Sequence, residues 1–132
     1  MKSKIHISAL LLTTLLVGGL LIFSFNRPAQ AGGPFDPTPV GIYGYVTYSN
    51  PDCQHTNHDT VWVYNSNYQK VKYALVTTYR SSYIYIVFLD EDPGTFHVIG
   101  NQSLTGCYTD EYEVYFDGDV RLDIDFNIAP VK

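Results

Sequence analysis

The chain has 132 residues, 45% of them hydrophobic and 15% aromatic, with a formal net charge of −5 at pH 7. Beyond residue 31 only five basic residues face thirteen acidic ones, a net charge of −8, which argues against nucleic acid or an anionic membrane surface as partner.

The first thirty-one residues read as a segment apart. Lys2 and Lys4 precede an apolar run from about Ile7 to Phe25, and Ala29-Gln30-Ala31 follows. A basic start, an apolar middle and small residues at −3 and −1 predict a secretory signal peptide over residues 1–31, cleaved after Ala31. The alternative is an uncleaved anchor helix, since about 20 apolar residues can span a bilayer. Membrane attachment is expected only in that case. Residues 32–40 follow as a Pro/Gly linker, with two Gly and three Pro between Gly32 and Pro39.

The mature part is long enough for one domain with one modest core, expected over residues 41–130. It carries two cysteines, Cys53 and Cys107. In an oxidising compartment these are expected to form one disulfide. The expected location is therefore secreted, periplasmic or on the cell surface.

The mature elements all read as strands. Residues 41–49 alternate Ile42, Gly44, Val46 and Tyr48 against Tyr43, Tyr45 and Thr47. A polar loop with Cys53, His55 and His58 leads to a short strand at residues 60–65. There Val61 and Val63 share one face, and Trp62 and Tyr64 share the other. Asn65-Ser66-Asn67 is a turn, and residues 70–79 form a third strand. Arg80-Ser81-Ser82 turns the chain into an apolar run from Tyr83 to Leu89. Pro93-Gly94 predicts a hairpin joining that run to residues 95–100. A second polar loop carries Cys107, residues 111–116 form a strand, and Asp117-Gly118 has the residues of a two-residue hairpin. In the last strand Val120, Leu122, Ile124, Phe126 and Ile128 alternate with Arg121, Asp123, Asp125 and Asn127, one face for a core and one for water. About seven short strands, no helical periodicity and regular turn signals predict an all-β fold, an antiparallel seven-stranded β-sandwich.

Several short motifs bear on family. Ile42-Tyr43-Gly44-Tyr45-Val46 opens the domain, and Val61-Trp62-Val63 follows. Then come Ile84 to Leu89, the Pro93-Gly94 turn, and Phe96-His97-Val98. In this order the chain resembles the carboxypeptidase regulatory-like domains, which are transthyretin-like or prealbumin-like Greek-key sandwiches related to the collagen-adhesin B-type repeats. It departs from them in carrying Ser81-Ser82 where Asp-Gly is usual, in a longer loop before Pro93, and in Phe96 for Tyr. The resemblance implies a non-catalytic accessory, scaffolding or binding module, and it names no ligand.

Candidate chemistry is sparse. Cys53, His55 and His58 have metal-ligand spacing, but a disulfide at Cys53 leaves only two histidines in a loop. The acidic clusters Asp90-Glu91-Asp92, Asp110-Glu111 and Asp117 with Asp119 lack a calcium-loop spacing and read as solvated tips. No Ser or Cys stands beside a His and a carboxylate in a recognisable nucleophile motif. No cofactor, metal or catalytic residue is therefore expected. The outward positions Tyr43, Tyr45, Trp62, Tyr64 and Tyr85 instead suggest an aromatic face for a protein or polysaccharide partner at the cell envelope. The competing expectation is a small secreted metal-dependent enzyme, or an enzyme accessory subunit, using the acidic loops.

Overall fold

A computed structural model describes residues 33–131. The expected signal peptide over residues 1–31 and the start of the linker lie outside the described residues. β-branched and aromatic residues recur at period two through most of the chain, and no helix occurs among the described residues. Ten strands form: β1 (Gly41–Thr47), β2 (Asp59–Asn65), β3 (Lys70–Leu75), β4 (Thr77–Tyr79), β5 (Ser82–Phe88), β6 (Gly94–Gln102), β7 (Tyr108–Thr109), β8 (Tyr112–Phe116), β9 (Asp119–Arg121) and β10 (Ile124–Ile128).

The strands hydrogen-bond in the order β3-β2-β6-β7-β10-β1-β5-β4, with β8 added beside β6 and β9 beside β1. The sheet nearly closes on itself, with β3 approaching β5. Its inner face is one core, including Ile42, Val46, Val61, Val63, Val87, Val98, Ile124 and Phe126. The alternation read from the sequence holds in β2, where Val61 and Val63 are fully buried and Trp62 and Tyr64 are half-buried.

Four expectations about this sheet require correction. The strand count is ten, not seven, because two expected strands are each broken and a short one is added. Residues 70–79 split at buried Val76, whose amide leaves the ladder to bond the Asp59 carbonyl at 2.9 Å. The last strand splits at Leu122-Asp123 into β9 and β10. Tyr108-Thr109 pairs with β6 and β10 inside what reads as loop.

The sheet is also mixed rather than antiparallel. β1 runs parallel to both β9 and β10. Side chains hold this parallel seam where the ladder breaks. Asp123 Oδ1 accepts from the Tyr45 amide at 2.9 Å. Asp125 accepts from the Thr47 hydroxyl and from both the amide and the hydroxyl of Ser49. The acids that read as a water face thus join two strands.

The run from Tyr83 to Gly100, finally, is not a hairpin. β5 pairs with β1 and β4, whereas β6 pairs with β2, β7 and β8. Both edges of β5 are occupied, so Asp90 to Pro93 carries the chain across to another part of the sheet. Asp117-Gly118 makes a similar crossing from β8, paired to β6, to β9, paired to β1. Turn residues specify a change of direction; which edges remain free decides whether the flanking strands pair.

Gly44 shows how one small residue sets local register. A Cβ there would lie 2.0 Å from the Leu122 carbonyl oxygen. Its bare backbone admits the β9–β10 junction. Opposite Gly44 in the ladder stands Tyr85, whose hydroxyl donates to that same Leu122 carbonyl at 2.6 Å.

Candidate functional site

The expected aromatic face does not assemble. Tyr85 is 1% exposed and belongs to the core. The run from Tyr83 to Leu89 is apolar at nearly every position, so its sequence cannot say which alternate set faces inward. Gly44 supplies the missing cue, because the large ring fills the space left opposite a glycine. Tyr43 points outward from β1 but is covered by Phe35 from the expected linker, with ring centroids 4.8 Å apart. Phe35 also meets Tyr45 at 5.4 Å, and the Arg121 guanidinium lies 5.2 Å from the Tyr45 ring. Trp62 and Tyr64 project from β2, in a different part of the sheet. Trp62 packs on Tyr73 at 4.8 Å and lies under Lys70 Nζ at 4.4 Å. The five residues fall into two outer clusters and one core position.

A different constellation forms where β1, the loop after it and β2 meet. Tyr48 follows the end of β1, His55 and Thr56 lie in the loop, and Asp59 opens β2. The Asp59 side chain is fully buried. Its Oδ2 accepts from the Tyr48 hydroxyl at 2.6 Å, from His55 Nδ1 at 3.0 Å and from the Thr56 amide at 3.1 Å. Its Oδ1 accepts from the Thr56 hydroxyl. A buried carboxylate survives only when its lone pairs are satisfied, and here they are.

The electrostatics follow from this geometry. Burial by itself pushes the Asp59 carboxyl up, but hydrogen bonds from Thr56, Tyr48 and Gln102 outweigh it and hold the group below its usual range. Burial raises Tyr48, and the hydrogen bond to Asp59 and that residue's charge raise it further, so the phenol remains a proton donor. His55 Nδ1 also lies 2.9 Å from the Tyr48 hydroxyl, so phenol, imidazole and carboxylate meet at one point.

This network is anchored on several sides. The Cys53–Cys107 disulfide, with Cα atoms 5.7 Å apart, ties the His55 loop to the loop before β7. Both cysteines are fully buried. Gln102 Nε2 donates to the Gln54 carbonyl at 3.0 Å, and Asn50 Nδ2 donates to the Asn127 carbonyl at 3.1 Å. Tyr48 stacks on Phe126 with planes 7° apart and centroids 5.3 Å apart. His55 lies against Tyr83, centroids 4.2 Å apart.

In front of the network is an open cleft of about 400 Å³. Its walls come from the end of β1 and the residue after it (Tyr45 to Tyr48), from Gln54 and His55 in the loop, and from Ser81 just before β5 with Ser82 and Tyr83 at its start. Tyr45 is the one residue of the expected aromatic face that reaches it. The sequence signals Tyr48, His55, Asp59 and Tyr83 individually, yet nothing in their spacing says they meet.

The alternatives weighed on the sequence are placed as follows. Cys53 is in the disulfide, and His58 is exposed, its amide bonded to the Thr56 hydroxyl at 3.2 Å. Among the described residues no group of three His, Cys, Asp or Glu comes together to hold a metal ion. Asp90, Glu91 and Asp92 are exposed at the crossing after β5. His97 is buried under Tyr68, whose ring stacks on it at 4.3 Å, and its Nδ1 lies 3.4 Å from Glu111. Comparison with protein-family models, with curated proteins and with solved structures found no match for the chain.

Proposed function

We propose that the chain is an exported, non-catalytic binding module at the cell envelope or outside the cell, and that the His55 cleft is where it binds. The observation that carries this reading is the cleft itself: three tyrosines, three hydroxyl side chains, an amide and an imidazole converge on it over a buried, fully bonded carboxylate. Pockets that bind ligands combine aromatic walls with a few fixed polar groups in this way. Export is supported by the basic and apolar N-terminal pattern and by the disulfide, which belongs to an oxidising compartment.

We further read the sheet as a two-layer sandwich of the transthyretin-like class, in which β4-β5-β1-β9 faces β3-β2-β6-β8 and β10 lies between. The single core shared by Ile42, Val46, Val61 and Val63 supports that reading. The carboxypeptidase regulatory-like resemblance stays part of the proposal, resting on the motifs quoted above.

The test is retention of the secreted protein on insoluble envelope material from the cells that make it. Retention lost in Tyr83→Ala and kept in Trp62→Ala places binding in the cleft. The reverse result moves it to the outer face of β2 and β3, and no retention at all refutes the module reading.

A second reading rests on one observation. His55 Nδ1 is held by Asp59, and its ring shares a cleft with Ser81 and Ser82, the partial arrangement of a hydrolase base and nucleophile. Covalent labelling of Ser81 or Ser82 by a fluorophosphonate would favour it; an unlabelled protein returns the site to binding.

A further inference from the structure

Deepening the binding-module reading, and resting on it, we propose that the His55 cleft takes a neutral sugar ring of an oligosaccharide. The chain beyond residue 31 carries thirteen carboxylates against five basic side chains. Yet no Asp, Glu, Lys or Arg lines this cleft. The charged neighbours Asp59, Asp123, Asp125 and Arg121 are bonded to cleft residues or to one another and do not line it. The cleft suits a ligand that is uncharged, rich in hydroxyls and apolar on one face.

The side chains present are the kinds that recognise such a ligand. Sugar hydroxyls both donate and accept. So do the hydroxyls of Ser81 and Ser82 and the amide of Gln54, whereas the Thr47 hydroxyl already donates to Asp125 and can only accept. Tyr83 supplies aromatic surface for the C–H face of a pyranose. His55 adds a ring whose Nδ1 is held by Asp59 and Tyr48, leaving Nε2 to bond a sugar hydroxyl as donor or acceptor.

The polar groups of the loop are also fixed before a ligand arrives. The disulfide, the Gln102 bond to the Gln54 carbonyl and the buried Asp59 together hold the backbone and the imidazole in place. Ordering a loop on binding has an entropic cost for every side chain immobilised, and here much of that ordering is already done. Size favours a small ligand. The cleft holds about 400 Å³, near the lower end of the ~300–1,000 Å³ of small-molecule sites. A folded protein partner needs roughly 800 Å² of surface on each side, which this cleft alone does not supply.

The experiment is an NMR titration of the secreted protein, following backbone amides of Gln54, His55, Ser81, Ser82 and Tyr83 and the His55 ring signals. The probes are cellotetraose, maltotetraose, xylotetraose and chitotetraose, with tetragalacturonate as the anionic probe and tetraalanine as the peptide probe. The expected result is a saturable shift of the cleft signals with at least one neutral sugar. Tyr83→Ala is expected to weaken binding about 3- to 10-fold, and Tyr83→Phe to retain it. Ser81→Ala, an exposed change that disturbs no packing, checks the site if Tyr83→Ala fails to fold. A response only to tetragalacturonate or tetraalanine overturns the neutral-sugar assignment and leaves the module reading standing. Cleft signals that move with none of the probes also overturn it, and absence of envelope retention in the separate assay then removes the module reading as well.

Discussion

Replacing Asp59 by Asn isolates the charge at the base of the cleft. The side chains are nearly the same shape, so the substitution opens no cavity. What changes is the acceptor set. The carboxylate receives donors from Tyr48, His55 and both the amide and hydroxyl of Thr56. An amide keeps one acceptor oxygen and turns an NH₂ toward donors on the other side. A hydrogen bond to a charged group contributes about 1.5–3 kcal/mol. Thr56 is only half-buried and regains water, so the full count of four bonds overstates the loss. Losing one to two of them predicts about 2–4 kcal/mol, a large part of the ~5–15 kcal/mol that holds a small domain together. The assay is urea denaturation of wild type and variant, with the midpoint shifting at constant slope.

The difference must also depend on pH, with a definite sign. The folded Asp59 carboxyl lies below its usual value of about 3.9. Its stabilising effect is therefore complete above that value and is lost as pH falls through the folded pKa. The gap between the proteins should close on acidification below about pH 4. Asp125 is shifted in the same direction, but it is present in both proteins and cancels from the difference. A gap under about 1 kcal/mol at pH 7, or one unchanged down to about pH 2, would refute the account of a buried, bonded carboxylate.

Three further outcomes follow from the packing. Gly100→Ala places a Cβ 2.7 Å from Thr109 Cγ2 and 2.8 Å from Phe126 Cζ, and is expected to lower stability by about 1–3 kcal/mol in the same assay. An unchanged midpoint would mean that the Phe126 ring can yield. Ile124→Asp, at a position 2% exposed, should abolish the cooperative melt, while Leu122→Asp, half-buried at the strand break, should leave a folded protein of lower Tm. Equal effects would place the break elsewhere. Replacing both Cys53 and Cys107 by Ser opens a loop spanning 54 residues of sequence and should cost roughly 4 kcal/mol in the chain-entropy model. A loss below about 1 kcal/mol would mean that the Asp59 network holds the loop without the disulfide.

Local pattern determined much of this protein. Period-two alternation was enough to bury Val61, Val63, Ile124 and Phe126 and to turn Trp62 outward. β-branched and aromatic composition excluded helix among the described residues, and two cysteines in a chain expected to be exported implied their bridge. These properties depend on neighbours two residues apart or on simple pairing. Other properties depend on which edges meet, and only the tertiary structure decided them. Pro93-Gly94 and Asp117-Gly118 carry turn chemistry, yet both lead away from hairpins because β1 and β6 recruit other partners. Tyr85 lies in an apolar run whose two faces look alike in sequence; its inward direction follows from Gly44 across the ladder. In the sequence Asp59 reads like any solvated loop acid. Its role appears only when Tyr48, eleven residues earlier, folds over it and His55 closes the third side. A two-residue period shows which way a side chain points. It carries no information about which distant side chain waits there, and the cleft is made entirely of such meetings.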